Sequence, residues 1–260
     1  MRRWRTWLCV GAALAVGGGL LTGKEAAPPA PKAPKAAKPD LPAGYKLLYE
    51  QTFDKPASIA DFEFTDPKQW KMYRAGDVAA LEFGGRGKYR PKVRSPLIIG
   101  LISNRAFGDF IMEADLLQTG KQYGHRDMCL FFGFTDKSQY YYCHMATKAD
   151  NHAHNVFIVN KKPRTKIADK TTKGIDWGRD KWHKVRLERK GSDGTIKIFF
   201  DDMSKPIMEA NDTTFTSGYV GFGSFDDSGR IDNIRIWGPK VEIKPSKFFT
   251  KKEGASGAKT

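Results

Sequence analysis

The sequence predicts an all-β protein, an antiparallel two-sheet β-sandwich. Three observations carry that expectation. Beyond residue 44 the apolar residues fall in short runs rich in Val, Ile, Phe, Tyr and Trp, broken by Gly, Asp, Asn and Pro. None of these runs keeps a 3.6-residue period long enough for a helix. Many short runs within about 200 residues are the spacing of a sandwich or barrel, and no internal repeat suggests a propeller.

The first 23 residues stand apart from that body. Arg2, Arg3 and Arg5 precede an apolar, uncharged stretch that ends at Gly23, the pattern of a secretory signal. An uncleaved membrane anchor is the alternative, because the run is close to the minimum length of a span. Cys9 comes too early in it to be a lipoprotein cysteine. An exported protein, periplasmic, envelope-bound or secreted, is therefore expected. Residues 24–42 are Ala, Pro and Lys with almost no large side chain, so they should form an extended linker. Residues 43–240 should form the sandwich, and 241–260 a basic, disordered tail.

The net charge is +15, of which the two ends carry five and three, leaving seven on 43–240. No basic stripe lies on a recognisable nucleic-acid-binding element, so a nucleic-acid partner is not expected. Only Cys129 and Cys143 follow the signal, which excludes a disulfide scaffold.

In chain order, strands are expected at 45–53, 97–102, 107–117, 127–135, 139–145, 155–159, 182–189, 195–200, 207–210, 218–225 and 230–237. Residues 58–70 read as irregular, with one helical turn. Lys190-Gly191-Ser192-Asp193-Gly194 and Asp226-Asp227-Ser228-Gly229 supply the turn residues of two hairpins. In the last strand, strict alternation sets Asp232, Ile234 and Ile236 on one face, where the Asp needs a partner.

The stretch 123–160 concentrates the chemistry. Four of the five histidines fall there: His125, His144, His152 and His154. Two aromatic runs flank Thr135-Asp136-Lys137-Ser138, a hairpin signal. With the turn centred on Asp136, Cys129 faces Cys143 on a core face, as close thiols, free or only partly oxidised, since cross-strand geometry often strains a disulfide. The opposite face then carries Arg126, Tyr142 and His144, rimmed by a loop with Asp150, His152, His154 and Asn155. Aromatic rings can cover the apolar face of a sugar while Arg, His and Asn bond its hydroxyls, so this face is the expected carbohydrate site. A one-residue slip would exchange the faces. His152 and His154 could also share a transition metal, although no second spacing supports it.

The segment WHKVRLERKGSDGTIKIFFDDMSKPIMEANDTTFTSGYVGFGSFDDSGRIDNIRIWG resembles the closing strands of concanavalin A-like lectin/glucanase domains. YEQTFDKP, FGDFIMEADLL and FFGFTDKSQYYYCHM fit the same plan. Over about 45–239 the chain resembles exported 3-keto-disaccharide hydrolase domains; other members of the superfamily are laminin G-like binding modules. The resemblance implies a concanavalin A-like jelly roll and a glycan-related role: cleavage of a 3-ketoglycoside, or non-catalytic glycan binding or envelope attachment. It also implies a structural Ca²⁺ at Asp54 and Asp232. In a 3-ketoglycoside the C2 proton is acidified, and its removal lets the C1 oxygen leave. That step suits a base near neutrality, with His144 the candidate catalytic residue and Arg126 beside the developing enolate. Glu113-Ala114-Asp115-Leu116-Leu117-Gln118 resembles the laminarinase acid motif, but Gln118 replaces the last acid, which argues against an ordinary retaining glucanase.

Overall fold

A computed structural model describes residues 39–249, so the expected signal, most of the linker and the last eleven residues lie outside the described residues. In chain order the strands are β1 (Lys46–Gln51), β2 (Phe62–Phe64), β3 (Trp70–Ala75), β4 (Val78–Phe83), β5 (Ile98–Ile102), β6 (Arg105–Phe107), β7 (Phe110–Gln118), β8 (Asp127–Asp136), β9 (Gln139–Ala146) and β10 (Asn155–Asn160). They continue as β11 (Thr165–Lys166), β12 (Ala168–Thr171), β13 (Trp182–Arg189), β14 (Thr195–Phe200), β15 (Met208–Asn211), β16 (Tyr219–Ser224), β17 (Gly229–Gly238) and β18 (Val241–Ile243). Two 3₁₀ turns, Pro56–Asp61 and Pro67–Gln69, interrupt the early strands.

Among the described residues the strands form two large antiparallel sheets and a small two-stranded one, β18-β6. The nine-stranded sheet runs β12-β15-β14-β13-β7-β17-β4-β3, with β1 also on β17. The seven-stranded sheet runs β11-β10-β9-β8-β16-β5-β2. Met112, Ala114, Leu116, Val185 and Leu187 of the first pack against Met128, Leu130, Phe132, Cys143 and Phe222 of the second in one buried core. Burial of each such side chain contributes about 1.5–3 kcal/mol, which is what holds the layers together. The expected all-β sandwich is the observed fold. Among the described residues no helix is long and apolar enough to cross a membrane.

The hairpin β3–β4, turning at Gly76-Asp77, was not foreseen. Lys71, Arg74 and two consecutive alanines dilute the β signal there, and its packing is tertiary: Trp70 stacks on Phe64 at 4.7 Å.

Two bulges correct the expected registers. In β8, Gly133 adopts φ 55°, and the pairing shifts between Phe132 and Asp136. A Cβ there would crowd Phe215 and Tyr141 at 3.1 Å, and the left-handed φ disfavours a side chain, so glycine is preferred. As a result Cys129 faces His144, and Leu130 faces Cys143. Cys143 points into the core, whereas Cys129 lies on the outer face with Phe131, Tyr140, Tyr142 and Phe157. Both thiols are buried and free. In β17 the shift between Asp232 and Arg235, with Asn233 at φ 50°, lets Ile231, Ile234 and Ile236 all reach the core. Strict alternation from Asp232 therefore fails.

The outer aromatic face of the seven-stranded sheet is roofed by the chain itself. Val93, Phe248 and Phe249 pack on it, and Phe134 meets the Phe248 and Phe249 rings at 5.1 and 5.9 Å. Ser246 Oγ and the Phe249 N–H donate to Glu63 at 2.6 and 2.5 Å. The folded body thus runs past residue 240, where composition had placed the start of a disordered tail; β18 pairs with β6.

Candidate functional site

The roof leaves one end of the outer face open. There the 86–97 segment, the loop before β8, the loop after β9 and the β16–β17 turn enclose a cavity of about 660 Å³. Its wall includes Arg86, Lys92, Arg94, Tyr123, His125, Asp127, His144, His152, Arg164, Phe225 and Asp226.

His144 and Asp127 form its floor. His144 follows Tyr142 by two residues on β9, so both point outward from the core. Its Nδ1 lies 3.2 Å from the backbone oxygen of His152. A carbonyl only accepts, so Nδ1 carries a hydrogen toward it. Nε2 is buried without a well-aligned hydrogen bond, although Asp127 Oδ2 stands 3.2 Å away. Asp127 is fully buried. Burial opposes its ionisation, but His144, the Cys129 thiol and the Phe225 N–H hold its carboxyl below the usual carboxylate range. Ser224 Oγ donates to its other oxygen at 2.8 Å, fixing the carboxylate against the ring.

The loop carrying His152 is built by Asp150. Its Oδ1 accepts the N–H groups of His152 and Ala153 at 2.7 and 3.0 Å, and its Oδ2 meets His125 Nε2 at 2.5 Å. Asp150 therefore shapes the loop whose carbonyl orients His144. His152 itself is exposed on the rim.

The other expected residues go elsewhere. Tyr142 shares the face of His144, but its ring is buried in a stack with Phe157 at 5.1 Å, and its hydroxyl accepts from Arg164 Nη1 at 2.8 Å. It supports the wall and offers no open platform. Arg126 turns away from the cavity: it donates to Gln118 Oε1 at 2.6 Å, Gln118 O at 2.8 Å and Gly178 O at 2.6 Å. It borders a separate cavity of about 280 Å³. The expected grouping of Arg126 with His144 depended on the unbulged register, and the structure does not bring them together. His154 is buried in left-handed backbone at φ 52°, accepting from the Ala146 N–H and bonding Thr172 Oγ1 at 2.8 Å. Burial, then the nearby His144, push it down to about 4. It does not pair with His152 for a metal. Asn155 lies opposite His144 and accepts the Ala168 N–H at 3.1 Å.

Among the described residues, two groups of three place ligand-type atoms within 4.8 Å of one another: Asp127 with Cys129 and His144, and Asp127 with Asp226 and Asp227. Asp54 and Asp232, the expected calcium pair, belong to neither. Asp54 Oδ2 accepts the Thr52 hydroxyl at 2.6 Å, and Asp232 Oδ1 accepts the Asn233 N–H at 2.7 Å, a bulge cap. Glu113 and Asp115 lie in the other sheet, paired with Arg186 at 2.6 Å and Lys184 at 3.0 Å.

Asp127 and Arg164 of this cavity, and Asp227 beside Asp127, are residues the sequence did not single out. Asp227 is pushed up to about 7 by burial and by the adjacent Asp127, while accepting from Tyr123 Oη at 2.7 Å. Its only sequence signal, Asp226-Asp227-Ser228-Gly229, reads equally well as turn formation. Asp127 and Arg164 carried no motif at all.

No protein-family model matches the chain, and a search of curated proteins returns no match. Among solved structures, the chain is similar to the carbohydrate binding module CBM66 from Bacillus subtilis, at 19% identity and TM-score 0.47, covering 67% of this chain and 93% of that one. It is also similar to domain 4 of AbnA, a GH43 extracellular arabinanase from Geobacillus stearothermophilus, in complex with arabinotriose, at 10% identity and TM-score 0.47, covering 78% and 95%. Lectin I-B4 from Griffonia simplicifolia, in its metal-free form, is similar at 14% identity and TM-score 0.44, covering 71% and 94%.

Proposed function

We propose that this chain is an exported carbohydrate-active protein that takes a glycoside into the cavity above Asp127 and His144 and cleaves 3-ketoglycosides there. The observation that carries the reading is the state of His144. The His152 carbonyl orients the ring through Nδ1, and Nε2 lies 3.2 Å from Asp127, whose ionised carboxylate would stabilise the imidazolium that proton uptake creates. A pure binding module needs an aromatic platform, and here the outer-face tyrosines lie under the chain's own roof. The cavity volume falls within the range of ordinary small-molecule sites, about 300–1,000 Å³. The sequence resemblance to 3-keto-disaccharide hydrolases supports the choice of substrate.

In this mechanism His144 Nε2 takes the C2 proton of the 3-keto sugar, the C2–C1 bond gains double-bond character, and the C1–O bond breaks. The departing oxygen takes a proton from water. Arg164 and Arg94 lie on the same wall, where they can stabilise the enolate oxygen. A glycosylated 3-keto sugar with a chromogenic leaving group tests the proposal. The expected result is turnover that falls about 10²–10⁴-fold in His144→Gln at unchanged melting temperature. Sugar binding with no turnover by the unaltered protein would leave the binding-module reading in its place.

A further inference from the structure

The charged groups around this cavity do not cancel. Arg86 is paired with Asp226 at 2.5 Å, and His125 with Asp150 at 2.5 Å. Among the described residues Lys92, Arg94 and Arg164 have no carboxylate within ion-pair distance, yet all three line the wall. Arg164 is not a mobile surface cation. Its guanidinium carbon lies 4.8 Å from the Phe157 ring centre and 4.5 Å from that of Phe225. One of its amino groups is tied to Tyr142 Oη, and its backbone N–H donates to Arg94 O at 3.1 Å. A guanidinium has five N–H donors, so most of the fork remains for a ligand.

Phe225 carries a second guanidinium, Arg94, at 5.8 Å. Two like charges over one ring repel each other, and an anion between them removes that cost. Arg164 is already held by two rings and a hydroxyl, so little side-chain entropy is lost when it binds. The planar fork matches two oxygens of an oxyanion.

Resting on the glycoside reading above, we infer that the ligand is an acidic glycan, in which a sugar ring bears an oxyanion that docks on Arg164, Arg94 and Lys92. The rest of the ring then lies over His144. The oxyanion chemistry is shared by the carboxylate of a uronic acid and the sulfate of a sulfated sugar.

Calorimetric titration of the protein with trigalacturonate, a sulfated disaccharide, neutral cellotriose and inorganic sulfate tests this. The expected order places one of the acidic sugars about tenfold or more tighter than both cellotriose and free sulfate. Arg164→Lys keeps the charge but loses the planar fork, and should weaken that sugar about tenfold. Lys92→Gln/Arg94→Gln, at two exposed positions, should weaken it as well. Lys190→Gln/Lys205→Gln, outside the cavity wall, should leave it unchanged. Cellotriose binding as tightly as either acidic sugar overturns the inference and leaves the glycoside reading standing. Absence of binding by every sugar overturns both. Free sulfate binding as tightly as the acidic sugars, or an equal loss in the Lys190→Gln/Lys205→Gln variant, also overturns it, because the attraction would then be to charge alone.

Discussion

His183 and His144 are built from the same parts, one in each sheet. Each is buried between a carboxylate and a backbone carbonyl. His183 on β13 has Nδ1 at 2.8 Å from Asp201 Oδ2 and Nε2 at 3.0 Å from Trp177 O, and its ring stacks on Phe200 at 4.5 Å. Both nitrogens are committed, and the residue is buried. His144 on β9 has Nδ1 at 3.2 Å from His152 O and Nε2 at 3.2 Å from Asp127 Oδ2 in poorer geometry, and the residue borders a cavity. The difference lies in alignment and access. A histidine with two good hydrogen bonds is a strut between β13 and the 177 loop. A histidine with one good hydrogen bond and a nearby, poorly aligned carboxylate beside a cavity is held less firmly.

The sharpest way to break this comparison is to neutralise each carboxylate in turn. Asp127→Asn should lower turnover of a 3-keto sugar by about 10²-fold or more, because the imidazolium loses its counter-charge. Asp201→Asn should leave kcat within about twofold per folded molecule and lower the melting temperature instead. Equal losses of kcat in the two variants would erase the distinction drawn here. Both carboxyls are held below the usual range in the folded chain: burial opposes ionisation, and the histidine partner overcomes it. Their contribution is therefore complete above the ordinary carboxylate pKa of about 3.9 and is lost as pH falls through the folded value.

A third histidine sharpens the contrast at intermediate pH. Unfolded, His154 takes a proton near the ordinary value of about 6.5. Folded, it does so only near 4. Between these values the unfolded state binds more protons, so stability should decline as pH is lowered through the window, by on the order of 3 kcal/mol. His154→Asn tolerates the left-handed backbone and should flatten that decline. Denaturant titrations at pH 7 and pH 4.5 read it directly, and a decline of the same size in the variant would assign the effect elsewhere.

The smallest expected effect concerns Arg126. Arg126→Met should cost about 2 kcal/mol, since Gln118 O and Gly178 O lose a charged donor, and should leave sugar affinity unchanged. A drop in affinity would return Arg126 to the ligand site.

The sandwich was legible because alternation and turn chemistry repeat along the whole chain, and a local error in one strand leaves the class intact. The site was legible only in part. His144 and His152 were found because histidines are few and these cluster. Arg126 was misplaced because pairing across β8–β9 depends on Gly133, whose positive φ adds residues to one strand and has no signature distinct from any other glycine. Asp127, which meets His144, and Arg164, which lines the same cavity, come from segments 17 residues before it and 20 after it. Only the stacking of β8, β9 and β10 and the approach of the β16–β17 turn make them neighbours. Tyr142 was expected to be open because nothing in the sequence says that 93 and 248–249 will cover it.

That cover has a consequence for how the protein survives in solution. The outer face of the seven-stranded sheet presents Phe131, Phe134, Tyr140, Tyr142, Phe157 and Tyr219 as one contiguous apolar patch. Patches of that kind promote self-association when bare. The last described residues therefore act as an intramolecular gatekeeper. Phe248 and Phe249 occupy the surface that a second copy would otherwise find, and Glu63 latches them in place through Ser246 and the Phe249 N–H. A chain shortened at residue 240 keeps every strand of both large sheets and loses this protection, so its failure would show as turbidity and oligomers before any loss of β content.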